Sequence, residues 1–572
     1  MNVLRVLTLS LLIPLSVSAA ELKKYHRQDG SLWQTIEMQD GQKHGWHRTY
    51  YRDGQLKSEI PYLNGKRHGT GTLFKTNGDL ARQITYADGA FHGLFTDFYD
   101  ENAIRNQTQY QHGKKQGWDR IYPKPERYYE LSPERVLYEG NYVDGVQHGW
   151  ERAFIAPSYS DHEGLGRLLY ERYFENGQKH GWERHYAKEK LKDGRNKDAL
   201  TEEVYFQHGK REGTSWSFTR RYCTENIYKD DQLNGTTRRY ERDDEGECEH
   251  LTSTTQFVGG KRHGEARSYD DDGQLTSIIR YQEGEKNGIS EEFRYGYLAL
   301  KTPYVDGERH GLVEGFDSKG RHTLKAHYVK GKKHGIEEQI SFDRHVYQLS
   351  RVTYVDGQRQ GEMRNYQKER VDRLLTYLSD AEKREFNYES HASLTGILNY
   401  QDDKLHGEQR HFYENGDLKE ESHYVEGKRH GDFVTYNQNG TLSEQAHYIH
   451  GQPHGLLEAY NSAGFPKRLA NYDHGKFHGD VIEFSTRSPV VVSEAHYNQG
   501  TLVGFNRRFH ERTGKLLVER DLDNDVVRYF YPDGSLKAEV HRQGKKVLSG
   551  VHFDHMGNQL PTKENTFERR YR

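Results

Sequence analysis

The chain is predicted to be all-β: an elongated tandem β-hairpin repeat array that forms a single-layer twisted antiparallel sheet. Three observations predict it. First, a 24-residue unit recurs, most plainly in His430–Pro453, HGDFVTYNQNGTLSEQAHYIHGQP, followed at once by His454–Phe477, HGLLEAYNSAGFPKRLANYDHGKF. A fixed period in this range marks a repeat architecture, which overrides the several domains that 572 residues would otherwise suggest. Second, turn residues punctuate each unit at fixed places. Third, apolar content is only 33% and mean hydropathy is -1.07, while Tyr numbers 42 and Gly 57. That composition is too polar for a thick core, and its regular aromatics argue against disorder.

Each element of the unit has a reason. Take Gly431 as the anchor. Tyr436 is followed by Gln438-Asn439-Gly440, and the same corner elsewhere reads Arg52-Asp53-Gly54 or Pro532-Asp533-Gly534. This is turn chemistry that needs a positive φ at Gly, as in a three-residue hairpin loop with a bulge. Such a loop sets Tyr436 opposite Leu442, and Leu442, Glu444, Ala446 and Tyr448 then alternate on what is expected to be one Tyr/Leu face. A lone hairpin is marginal in water, so the units must pair edge to edge. Eighteen anchor glycines run from Gly45 to Gly504; seventeen have Tyr or Phe five residues later, seventeen have one seven residues earlier, and twelve follow His.

Met1–Ala20 reads as a secretory signal, with Arg5, an apolar stretch Val6–Val17 and Ser18-Ala19-Ala20 at its end. The apolar run falls short of the ~20 residues of a membrane span. The mature protein is therefore expected to be exported and soluble, in the periplasm or secreted. Residues 21–122 are short repeats. In residues 123–212 three anchor spacings lengthen to 32, with the extra residues at 123–134, 155–166 and 187–200. These loops are expected side by side at one sheet edge, where clustered insertions often mark a binding surface. Trp118, Trp150 and Trp182 share one column in these units, with Trp46 an earlier copy. Together with the loop residues Tyr128, Tyr129 and Tyr159, they are the candidate binding residues. Residues 213–406 are irregular repeats, and Tyr377–Tyr388 reads as a degenerate unit between Gly361 and Gly407. Residues 407–504 are the most regular. Residues 505–572 are degenerate repeats capping the last edge.

Cys223 and Cys248 are the only cysteines. An exported chain tolerates a disulfide, but the two sit in non-equivalent columns, which leaves their pairing open. Net charge is -3 with His neutral, and Lys/Arg alternate with Asp/Glu, so no nucleic-acid partner is expected. The His-Gly repeats invite a metal reading. Equivalent His in adjacent hairpins lie two strands apart, roughly 10 Å, too far to share an ion, and the column His327, His423, His447 and His496 fails likewise. No metal and no cofactor are expected. Without a Gly-x-Ser-x-Gly elbow, a phosphate loop or His-Glu-x-x-His, neither is an enzyme.

The motif Tyr-x-x-Gly-x-x-His-Gly, then an aromatic and Asn/Asp-Gly-x-Leu, is clear in Tyr62–Leu80, YLNGKRHGTGTLFKTNGDL, and in Tyr424–Leu442, YVEGKRHGDFVTYNQNGTL. It resembles the bacterial variant of the MORN repeat, from about Gly41 to Gly504. That resemblance implies consecutive β-hairpins with binding or scaffolding roles, and many bacterial members look like the antitoxin component of YwqK-type toxin–antitoxin systems. The chain departs from that picture in its length and its signal sequence. The expected function is an exported, non-enzymatic, protein-binding scaffold, with an antitoxin or immunity-type role within it. The alternatives are a glycan or cell-wall binder, since Gly-Trp and Tyr suit sugar stacking, and a scaffold associated with a membrane surface.

Overall fold

A computed structural model describes residues 20–125, 136–155, 167–190, 196–243, 245–343, 346–369, 377–379, 381–382 and 386–561. Contacts divide the chain into two units, Met1–Gln274 with Tyr281–Gly284, and Leu275–Arg280 with Glu285–Arg572. Each unit is all-β, an antiparallel array in which successive long strands pair, with 49 strands among the described residues. The repeated hairpin is as expected in outline: Lys428–Tyr436 pairs with Leu442–Ile449, and Tyr436 lies opposite Leu442.

All eighteen anchor glycines have positive φ. In the Gly431 unit φ is 107°, and the pairing skips there: Ser422 lies opposite Phe433 and Tyr424 opposite Arg429. Three residues of one strand thus face one of its partner, a bulge that only Gly accommodates without backbone strain. A Cβ on Gly431 would also stand 3.4 Å from the His423 Cβ. Gly431→Ala is therefore expected to cost about 1–3 kcal/mol, read as a lower denaturation midpoint with its loss of protection confined to neighbouring strands.

A second bulge corrects the predicted single Tyr/Leu face. Thr435 pairs with Glu444 while Tyr436 pairs with Leu442, leaving Ser443 extra. This puts Tyr436 and Leu442 on the opposite side of the sheet from Ala446 and Tyr448. Both faces therefore carry aromatics. The anchor itself lies opposite the next closing aromatic, as Gly45 does opposite Tyr62.

The first face holds the core. The residue two after each anchor meets the residue two before the next closing aromatic, often large against small: Phe433 with Ala446, Val481 with Ala495, Val313 with Ala326, all buried. Each closing aromatic is in turn bridged by the residue two before an anchor. In eleven repeats a Lys or Arg there lies 4.3–5.5 Å from the ring of the next closing aromatic, from Lys43 over Tyr62 to Arg429 over Tyr448. In two repeats an aromatic takes the place of the cation, Phe91 against Tyr110 at 5.3 Å and Phe477 against Tyr497 at 5.1 Å. Each cation–π contact contributes on the order of 0.5–1 kcal/mol, and its repetition lines the first face of each unit with a spine of such contacts. This is how so polar a chain holds a sheet together.

Three departures from the regular hairpin occur. Cys223 and Cys248 are joined by a disulfide with Cα atoms 5.9 Å apart. Their strands, Tyr222–Lys229 and Cys248–Val258, are separated by Gly235–Arg242, which pairs with both. Strands two apart normally stand roughly 10 Å from each other, so the chain entering the third strand must fold back over the second. Second, no strand lies among the described residues of the stretch Tyr377–Tyr388, which the sequence reads as a degenerate unit. Gln358–Glu369 pairs directly with Ser393–Gln401, and the part of the intervening chain from Phe386 to Ala392 packs against the sheet. Tyr388 meets Ile340, Tyr347, Leu349 and Tyr366 in the largest buried apolar cluster among the described residues. Third, hairpins continue past Gly504 to Phe553 without the His-Gly bulge, held by buried Val526, Val527, Ala538 and Val540.

Candidate functional site

The second face carries the residues one, three and five positions after each anchor. Trp118, Trp150 and Trp182 lie on it, partly exposed. Two of them form edge-to-face pairs with the neighbouring strand, Trp150 with Tyr173 at 5.4 Å and Trp182 with Tyr205 at 5.2 Å. The residue two beyond each Trp is Arg, and its guanidinium lies over the indole: Arg120 at 4.6 Å, Arg152 at 5.4 Å and Arg184 at 5.9 Å.

Those arginines also form a charge ladder. Arg120 reaches Glu139 at 3.1 Å, and Arg152 bridges Glu139 at 3.7 Å and Glu171 at 3.3 Å. Arg184 bridges Glu171 at 3.5 Å and Glu203 at 2.7 Å. Isolated surface pairs contribute little, but a network with shared partners holds its side chains in place. The hydrogen bond from Arg184 to Glu203 holds that guanidinium's pKa above its usual value. The result is a fixed strip of aromatic rings beside alternating charge.

On the opposite side of these same strands Glu151 and Glu183 are buried. Arg172 donates to Glu151 at 2.7 Å, and Lys179 and His185 form ion pairs with the two oxygens of Glu183. Burial raises the Glu183 pKa, and those two partners outweigh it and hold the carboxyl below its usual range. They are structural ion pairs under the strip.

Of the predicted site residues, the structure brings the three Trp into one column; Tyr128, Tyr129 and Tyr159 lie outside the described residues. Strand pairing stops at Ile121↔Tyr138, four residues after Gly117, and at Ile155↔Arg167, six residues after Gly149, so the insertions at 123–134 and 155–166 do not begin at one register, and most of their residues lie outside the described residues. The third is not a loop over 187–200. Gln178–Lys190 and Asn196–Gln207 stay paired out to Lys190↔Asn196, so it is chiefly a longer hairpin. The arginine and glutamate ladder was missed, although the spacing Gly-Trp-x-Arg, present at Gly45, Gly117, Gly149 and Gly181, was signal enough.

The same face shows what it can hold. At Ile340 and Tyr366, five residues after their anchors, it is covered by the chain's own segment 386–392. Tyr347 donates to the Tyr388 carbonyl at 2.6 Å, Arg351 pairs with Glu389 at 2.8 Å, and Tyr366 donates to Glu389 at 2.5 Å. Burial pushes the hydroxyls of Tyr347 and Tyr388 up to about 12. Aromatic and Arg groups of this face thus clasp a peptide segment.

Four stretches match the family model described as MORN repeat variant. They are residues 43–64, 262–283, 405–426 and 429–450. Each runs from the spine residue two before an anchor to the second residue after the closing aromatic, so the MORN-variant register coincides with the structural one. The fold is in this sense a MORN-like hairpin array. No curated protein matches the chain. Among solved structures it is similar to a chain of the Photorhabdus luminescens Tc holotoxin pore, at 11% identity over 94% of this chain and 30% of that one, with a TM-score of 0.13. A TcdB2–TccC3 crystal structure is similar at 11% identity over 92% of this chain and 30% of that one, with a TM-score of 0.11. The chain thus spans about 30% of the length of these chains, and scores this low carry no statement about fold or role.

Proposed function

We propose that the protein is an exported, non-enzymatic repeat scaffold that binds a polypeptide partner on its second face, along Trp118, Trp150 and Trp182. The observation that supports this most is the docking of 386–392 on the same face. Where the chain supplies its own ligand, the face buries Tyr388 and pairs Arg351 with Glu389. In the Trp units the neighbouring positions of this face, one and three after the anchor, carry Trp and Arg, residues that dominate binding energy at protein interfaces, and no described segment covers them. An antitoxin or immunity-type role is this activity directed at a toxin in the compartment the signal sequence leads to. Glycans and membrane surfaces are disfavoured by what already lies on each indole: the Arg guanidinium occupies a ring face that a sugar would need.

The test is the variant Trp150→Ala/Trp182→Ala/Arg152→Ala. Cross-linking recovery of a protein partner from the cells of origin is expected to fall by at least about tenfold, the equivalent of losing one hot-spot side chain, with β circular dichroism unchanged. Recovery equal to the parent chain rejects the face. Retention on peptidoglycan or liposomes, lost in the same variant, would replace the polypeptide reading by the glycan or lipid one.

A further inference from the structure

The His before each anchor lies roughly 10 Å from its equivalents two strands away. The structure sets it instead against the closing turn of the same repeat, beside the residue two after the closing aromatic. In four repeats that residue is also His. The pairs His92–His112, His180–His208, His430–His450 and His454–His474 have ring centroids 5.1, 5.5, 5.1 and 5.0 Å apart. The turn histidines sit at φ 48, 49, 51 and 45°, a left-handed position that Asn or Asp fills as readily and that Asp or Asn fills in many other turns of the array. Nδ1 of His92, His180 and His454 is buried without a hydrogen bond. Something other than turn geometry is served by imidazole here.

One pair is completed by a carboxylate. Asp473 Oδ1 stands 3.3 Å from His454 Nδ1 and 2.6 Å from His474 Nδ1, and one donor atom from each of the three lies within 4.8 Å of the others. The 3.3 Å approach to His454 lacks hydrogen-bond geometry, which is why that nitrogen remains unsatisfied. Gln499 Nε2 donates to the second oxygen of Asp473 at 2.6 Å, the outer-shell contact that orients a ligating carboxylate. A tetrahedral ion with ligands at ~2.0–2.1 Å needs donor atoms roughly 3.3 Å apart, within reach of small side-chain rotations. His474 is exposed, which leaves a coordination position open to water.

We propose that His454, Asp473 and His474 form a binding site for a divalent transition ion, with zinc as the reference ion. Two imidazoles and one carboxylate favour zinc, copper or nickel over magnesium or calcium. The ion joins the start of Gly455–Tyr460 to the turn that follows Pro466–Asp473, clamping adjacent strands. The other three pairs supply two imidazoles each at the corresponding turns.

The test uses the full chain without a polyhistidine tag, titrated calorimetrically with zinc chloride alone. Co2+ serves as a second probe, read by its visible d–d absorption. His454→Gln/His474→Asn, with Asn chosen because it tolerates the turn φ, is expected to weaken the tightest zinc site by at least about tenfold and to remove the tetrahedral Co2+ bands. Asp473→Asn, isosteric with the parent, is expected to weaken it too. His430→Gln/His450→Asn is expected to leave that site intact. Equal tightest-site affinity in the parent and the His454/His474 variant, with circular dichroism unchanged, overturns the proposal; so does loss of that site in the His430/His450 variant.

Discussion

Tyr388→Ala is expected to release the segment 386–392 from the sheet at a cost of about 3–5 kcal/mol, the range for deleting a buried aromatic side chain. Tyr388 is 4% exposed and Tyr347 is 0% exposed. The Tyr388 ring contacts Tyr347 at 5.1 Å, Phe386 at 4.8 Å and Phe342 at 5.8 Å. Removing it opens a cavity and frees the carbonyl that accepts the Tyr347 hydroxyl. In a repeat array stability is a sum of local terms, so the loss should not spread. Hydrogen exchange should accelerate over 346–369 and 386–401 and stay unchanged over 407–504. Unaltered exchange at 346–369 would show that the segment contributes nothing to that face.

The second large effect concerns Cys223 and Cys248. Replacing both by Ala is expected to destabilise residues 213–258 by about 3.5 kcal/mol, the loop-closure value for a bridge with a sequence separation of 25. The result should be early proteolytic cleavage near 219–247 in the variant and none in the oxidised parent. The bridge also bears on localisation, since stable disulfides belong to oxidising compartments. Protein taken from its native cells should resist thiol alkylation until reduced. Two alkylated cysteines before reduction would count against export.

Much of the fold was legible because its determinants are local. The anchor glycines, the Asn-Gly and Asp-Gly corners and the Tyr436↔Leu442 pairing all follow from turn chemistry. The facing of the aromatics did not, because one unpaired residue, Ser443, reverses the alternation after the turn, and such a bulge leaves no composition signal. The insertion after Glu369 was misread as a repeat for a related reason: Tyr377 and Tyr388 have aromatic spacing, yet Tyr388 serves long-range packing on Tyr347. The Cys pairing depended on a chain crossing over a strand, which column counting cannot see. For the binding face, the Trp column was visible from its period, while the Arg–Glu ladder required knowing which strand neighbours which. The histidine pairs were visible in principle, as Tyr-x-His-Gly or Phe-x-His-Gly 18 residues or more after a His-Gly, and were missed because only equivalent columns were compared.

The most direct measurement of the central claim is site-specific photocrosslinking from the two faces of one hairpin. A benzophenone side chain replaces Trp182 in one variant and Phe206, which faces the spine beside Lys179, in the other. The second-face account predicts a covalent polypeptide adduct from position 182 in the cells of origin and none from position 206. Equal adducts from both positions, or an adduct from 206 alone, would contradict it.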